Sequence, residues 1–270
     1  IICDGTSMSI LAENIGNAIS GNGLRTEQVT NLVLADYEKE ALSSVREADN
    51  AFYRNMLDSL ESDTELYPDD EPALKELSGK LGIFETLVFD QEPELEIRMK
   101  ETVRKTGVTE STIFMSAYAY LLKLLSGQEH KVLYFAGENG RNDPLLSDTF
   151  GMMVHNIPVA VDIDETLPVA EYMQSVQKTF YECVSHDYAS YTELLGEYHI
   201  RPEYSFVYQG GMLDGTVIDG KNIPLELYKA EDVMDNLTLH VMKQKGGDFL
   251  LHFEYGAGLY TKDTMRRMAE

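Results

Sequence analysis

Three short runs hold the side chains most able to do chemistry: Asp4-Gly5 with Ser7 just behind, His155-Asn156, and His186-Asp187-Tyr188. An imidazole near a carboxylate can accept a proton or hold an amine. A glycine beside an acid lets backbone approach a ligand closely. Other chemistries find no support. There is no Gly-x-Ser-x-Gly elbow, no Walker loop and no Gly-x-Gly-x-x-Gly after a strand. The histidines at 130, 155, 186, 199, 240 and 252 show neither His-x-His nor His-Glu-x-x-His spacing, so no zinc site is expected. Cys3 and Cys183 are too far apart in sequence to suggest a disulfide framework or a metal knuckle, which points to a reducing cytoplasm. A formal net charge of −24 argues against nucleic acid and anionic membrane surfaces, both of which call for Lys and Arg. No apolar run reaches the roughly 18 residues of a membrane helix.

These side chains need elements to position them. Ile1-Ile2 reads as the end of a buried strand, turned by Asp4-Gly5 into a helix over 8–19 whose apolar positions are Met8, Leu11, Ile15 and Ile19. One or two helices follow over 26–60. An acidic stretch over 61–82, with Pro68 and Pro72, reads as a linker and sets a domain boundary near Gly82. Alternation predicts a strand over 83–89, and helices follow over 92–106 and 109–125. Further strands are expected over 132–136, 154–163 and 204–208, an irregular loop over 137–150, and a helix over 169–185. A meander over 224–230, 237–243 and 249–255, turning at Gly246-Gly247, precedes a helix capped by Thr261. Alternating strands and helices with terminal hairpins specify an α/β fold with a mixed sheet.

Taken in order, several segments resemble the condensation domains of nonribosomal peptide synthetases, members of the chloramphenicol acetyltransferase-like acyltransferases. Ile1 to Gly5 match the last five positions of the family's His-His-x-x-x-Asp-Gly motif, so both histidines would fall just before Ile1. Leu34-Ala35-Asp36-Tyr37 resembles the next motif. Gly151 to Pro158 matches Gly-x-Phe-Val-Asn-Thr-x-Pro, with His155 where Asn is usual and Asn156 where Thr is usual. Asp187-Tyr188 matches Gln-Asp-Tyr-Pro-Phe, with Ala189 replacing Pro. Tyr204 to Gln209 resembles the Phe-x-x-Gln strand, which makes Ser205 and Gln209 substrate-binding candidates. The likeness covers essentially the whole chain. It implies a chloramphenicol acetyltransferase-like lobe over 83–270 with a mixed sheet flanked by helices, and a helical remnant of the preceding lobe over 1–82.

The implied reaction joins a carrier-bound acyl or peptidyl thioester to an aminoacyl acceptor. No metal or diffusible cofactor is implied, because the phosphopantetheine belongs to the carrier. Upstream and downstream peptidyl carrier domains and adjacent synthetase domains are the implied partners. Asp4 reads as a catalytic remnant or as a buried structural carboxylate, and the second is preferred, with Arg141 as its expected partner. Gly5 reads equally as a tunnel-facing backbone amide or as a turn glycine. Ser7 is expected as a helix N-cap, with a substrate-facing hydroxyl as the alternative. His155 reads as a substrate contact or as a half-buried histidine bonded to a carbonyl, Asn156 as a lobe-junction contact. His186 and Asp187, adjacent on a helix end, should not face each other. Asp187 and Tyr188 are expected in structural contacts between lobes. Without the two histidines the chain by itself is not expected to condense substrates, and a shortened first lobe is expected to expose apolar surface. An epimerisation domain of the same fold and an inactive recruitment module are the alternatives.

Overall fold

The computed structural model describes residues 3–69, 84–89, 94–201, 203–210, 216–218, 221–223, 236–243 and 249–270. The expected strand end at Ile1-Ile2, the boundary near Gly82, the strand over 224–230 and the Gly246-Gly247 turn lie outside the described residues.

Helix α1 (Gly5–Ser20) starts earlier than its apolar spacing suggests, because Asp4 caps it. The extended Asp4 backbone lets its carboxylate accept from Ser7 N, and Gly21 at φ 72° ends the helix. Ser7 is therefore the third helical residue and not the cap. Met8, Leu11, Ile15 and Ile19 are 40% to 56% exposed, while Ser7, Ile10 and Gly16 face inward. Helix α2 (Asn31–Asp58) is one continuous 28-residue rod capped by Thr30. Its inward stripe is Asp49, Asn50, Tyr53 and Leu57, all buried at helical spacing.

The rest is a layered α/β body: β1 (Phe84–Phe89), α3 (Leu95–Thr106), α4 (Glu110–Ser126), β2 (Lys131–Glu138), β3 (His155–Asp162), α5 (Val169–Ser185), α6 (Tyr191–Tyr198), β4 (Tyr204–Gly210), β5 (Thr216–Ile218), β6 (Lys221–Ile223), β7 (Leu237–Lys243), β8 (Phe249–Gly256) and α7 (Lys262–Ala269). Six strands form one sheet in the order β1-β8-β7-β4-β2-β3. The β2–β4 and β4–β7 pairs are parallel and the others antiparallel, while β5 and β6 form a separate hairpin. Five successive residues of β2, Val132 to Ala136, are buried, so both faces of that strand are covered. Helix α4 seals one face, where Tyr118 meets Tyr134 edge-on at 5.8 Å and Phe114 meets Phe249 at 5.0 Å. Helix α5 packs on β3 and α4.

Two described elements have no counterpart in the sequence-based expectation: helix α6 and the β5–β6 hairpin. The start of α6 has no side-chain cap of its own. Its Ser190 N donates instead to Asn50 Oδ1 of α2 at 2.8 Å, a capping bond that no local pattern reveals. Among the described residues, no helix is long and apolar enough to cross a membrane.

Candidate functional site

A cavity of about 910 Å³ opens between α2 and one edge of the sheet. Val29, Val33, Leu34 and Arg46 form the α2 side. The loop after β2 contributes Gly140, Asn142 and Leu145, the start of β3 His155 and Asn156, and the α5–α6 region Asp187, Tyr188, Tyr191 and Leu195.

The antiparallel register sets Glu138, at the end of β2, opposite His155, at the start of β3. The turn after α5 brings in Asp187, whose Oδ1 lies 2.8 Å from His155 Nδ1. Tyr191 donates to the same oxygen at 3.3 Å. Behind it, Tyr53 of α2 lies 3.4 Å from Tyr191 Oη and donates to the Cys183 carbonyl at 2.9 Å. His155, read from the sequence as a substrate contact or as a histidine bonded to a carbonyl, meets the Asp187 carboxylate, which bears on its proton chemistry. Donor atoms of Glu138, His155 and Asp187 all lie within 4.8 Å of one another, the one metal-capable grouping among the described residues. Burial pushes the Glu138 carboxyl above its ordinary range, the negative charge of Asp187 adds to that, and the Gly140 N–H accepted at 2.5 Å opposes it.

His186 and Asp187 diverge, as adjacent helix-end residues must. His186 Nδ1 lies 2.9 Å from Asp49 Oδ1, and its ring stacks on Phe52 at 4.2 Å. Asp49 Oδ2 also accepts from Tyr188 N at 3.1 Å. Asp49 and Asn50 thus clamp residues 186–190 onto α2 and fix where Asp187 points. Both polar residues were missed in the sequence. Their placement on the same helical stripe as Tyr53 and Leu57 is the signal that could have found them.

Asp4 and Gly5 belong to a second cluster and are not among the residues lining this cavity. Asp4 accepts from Arg141 Nη1 at 2.8 Å and Nη2 at 3.1 Å, from Ser7 N and Oγ at 2.9 Å each, and from Met153 N at 3.0 Å. Burial alone would raise its pKa, but the Arg141 bonds, then those of Ser7 and Met153, outweigh it and hold the carboxyl at about 2. The Asp4 and Arg141 side chains are 1% and 4% exposed. Ser7 is fully buried; its hydroxyl oxygen accepts from Arg141 Nη2 and the Gly151 N–H, and its one proton lies within reach of both Asp4 Oδ1 and the Gly151 carbonyl. With every bonding direction taken, Ser7 does not face a substrate. Gly5 is simply the first residue of α1.

Arg141 reaches Asp4 because Gly140 turns the chain at φ +66°. A Cβ on Gly140 would sit 2.1 Å from the Met153 carbonyl oxygen. The chain start is in this way tied to residues 151–153, just ahead of the strand that carries His155. Ser205 is buried within β4, and Gln209 is half-buried on the same strand with Oε1 unpartnered among the described residues. Neither is brought to the cavity that holds His155 and Asn156.

A family model described as "Condensation domain" matches residues 1–270. Bacitracin synthase 3 of Bacillus licheniformis is 22% identical over 289 residues, covering 100% of this chain and 4% of its own. Gramicidin S synthase 2 of Aneurinibacillus migulanus is 23% identical over 289 residues, covering 100% and 6%. Among solved structures, the condensation domain of the monacolin K polyketide synthase MokA aligns with a TM-score of 0.78 at 16% identity, over 99% of this chain and 65% of that one. The first condensation domain of the calcium-dependent antibiotic synthetase, solved with a substrate analogue, aligns at 0.72 and 16%, over 100% and 60%. The chain spans under two thirds of those solved chains and less than a tenth of either synthetase. The fold is therefore that of the chloramphenicol acetyltransferase-like condensation domains.

Proposed function

The chain belongs to the condensation-domain family, and on that premise we propose that its protein forms amide bonds in nonribosomal peptide synthesis. The donor is an acyl or peptidyl thioester on an upstream carrier, the acceptor an aminoacyl amine on a downstream carrier, and both arrive on phosphopantetheine supplied by those partners. The acceptor nitrogen attacks the thioester carbon; the C–N bond forms, the C–S bond breaks, and the leaving thiolate ends with a proton given up by the amine. Such a reaction needs two tethered ends held together away from bulk water. The observation that carries this reading is the 910 Å³ cavity whose wall joins α2 to the sheet and presents titratable groups at one end.

The test uses the intact protein with carrier-bound donor and acceptor, following the amide product by mass spectrometry. Leu34→Trp and Asn156→Trp, which fill the cavity from opposite walls, should abolish product while leaving the melting temperature unchanged. Undiminished product from both filled variants would overturn the reading. Carrier binding without product in the parent itself would favour a recruitment module.

A further inference from the structure

Asparagine precedes glycine at two places in the chain, Asn22-Gly23 and Asn139-Gly140. In such a pair the backbone nitrogen of the glycine can attack the side-chain carbonyl carbon of the asparagine, because no Cβ crowds the approach. The attack needs that nitrogen free and the asparagine side chain able to swing onto it. The fold supplies both conditions at the first pair and neither at the second.

Asn22-Gly23 follows Gly21, the left-handed residue that ends α1. The Asn22 N–H donates to Asn17 O at 2.8 Å and completes the cap. Among the described residues, neither the Asn22 side chain nor the Gly23 N–H has a partner. Both residues are exposed, and a Cβ on Gly23 would meet nothing within 4 Å. Just beyond, the Asn14 side chain holds the Arg25 N–H at 2.8 Å and the Arg25 carbonyl at 3.2 Å, so residues 22–24 form a short open span between two anchors. Asn139-Gly140 is the opposite case. Gly140 N donates to Glu138 Oε2 at 2.5 Å, and Asn139 Oδ1 accepts from Arg141 N at 2.9 Å. Arg141 Nη1 also donates to the Asn139 carbonyl at 3.1 Å. With Gly140 at φ +66° wedged against the Met153 carbonyl, ring closure there requires the whole turn to open first.

We infer that Asn22 is a site of spontaneous covalent modification, and that its turn shields Asn139 from the same chemistry. The Gly23 nitrogen gives its proton to hydroxide and bonds to Asn22 Cγ; the Cγ–Nδ2 bond breaks, and ammonia leaves with a proton from water. The resulting cyclic imide takes up one water at either carbonyl and opens to aspartate or to isoaspartate. No electron is gained or lost. Both products add a negative charge to a chain already at −24. That charge falls beside the C-terminal end of α1, where the helix dipole opposes it. The isoaspartyl form also carries one extra atom of main chain between Gly21 and Arg25. The modification therefore acts on the joint between α1 and α2, and it stands independently of the acyl-transfer reading.

The test follows both asparagines in the intact protein at pH 8, reading conversion at each by peptide mass spectrometry. The same protein unfolded in urea gives each site's rate without the fold. Folding should slow Asn22 by no more than about fivefold and Asn139 by at least about tenfold. The product at Asn22 should contain isoaspartate beside aspartate, the isoaspartate detected by its methylation with an isoaspartyl methyltransferase. Gly23→Ala crowds the attacking nitrogen at a position with room for the methyl group. It should slow Asn22 by about fivefold or more while the melting temperature stays unchanged. Asn22 slowed more than about fivefold by folding, or Asn139 slowed less than about tenfold, overturns the inference. Aspartate without isoaspartate, or conversion undiminished in Gly23→Ala, means that water attacks the side chain directly and overturns it as well.

Discussion

Replacing Arg141 should cost this protein more than almost any other single change, and the Asp4 contact sets the scale. Asp4 falls from an ordinary 3.8 to about 2 in the folded chain. That difference of roughly 1.8 units corresponds to about 2 kcal/mol favouring the ionised native form. Because the native value is depressed, this contribution is complete above about pH 4 and disappears as pH falls through about 2. Arg141→Met at pH 7 does worse than remove it, since a carboxylate 1% exposed is left without its counter-charge. Breaking a buried pair from one side typically costs about 3–5 kcal/mol. For a chain of this size that is a fall in Tm of roughly 10 °C. Thermal melts at pH 7 of the parent, Arg141→Met, Asp4→Leu and the double variant complete a cycle. The double variant should melt well above the additive expectation, by at least about 2 kcal/mol of coupling. The stability gap between the parent and Asp4→Leu should narrow between pH 4 and pH 2.5. Arg141→Met melting with the parent, or strict additivity in the cycle, would refute the pairing as a source of stability.

Other consequences are as open to measurement. Gly140→Ala puts a Cβ 2.1 Å from the Met153 carbonyl at a left-handed φ, so it should lose at least about 2 kcal/mol, and an unchanged melt would contradict the turn geometry. Asp49→Ala removes the acceptor of both His186 Nδ1 and Tyr188 N and should lower stability by about 2 kcal/mol; hydrogen exchange at the Tyr188 amide should speed up, while amides of β2 stay protected. Burial pushes the Cys183 thiol up to about 12, so a thiol reagent at pH 8 should label the partly exposed Cys3 quickly and Cys183 only upon unfolding. Rapid labelling of both cysteines in native protein would contradict the packing around α5.

Elements with local signals were legible. Thr109 and Thr261 cap their helices, Gly127 closes α4, and α5 spans 169–185 as its periodicity predicts. Arg141 was named as the partner of Asp4 on the ground that a buried carboxylate needs a counter-charge, and the structure pairs the two. Helix α6 was illegible because its first amide is capped by Asn50, about 140 positions away in the chain. The apolar positions of α1 announced a helix but not its orientation, since periodicity locates a stripe without saying what lies against it. The sequence by itself determined the residue types, the cap at Thr261, the mixed-sheet class and the family, all written in short-range patterns and motif order. Only the tertiary structure decided that His155 meets Asp187, that Ser7 is sealed inside, and that Asp4 stands apart from the cavity. Those outcomes depend on strand register and on the α2 clamp of residues 186–190, and contacts 32 to 149 residues apart leave no periodic trace along the chain.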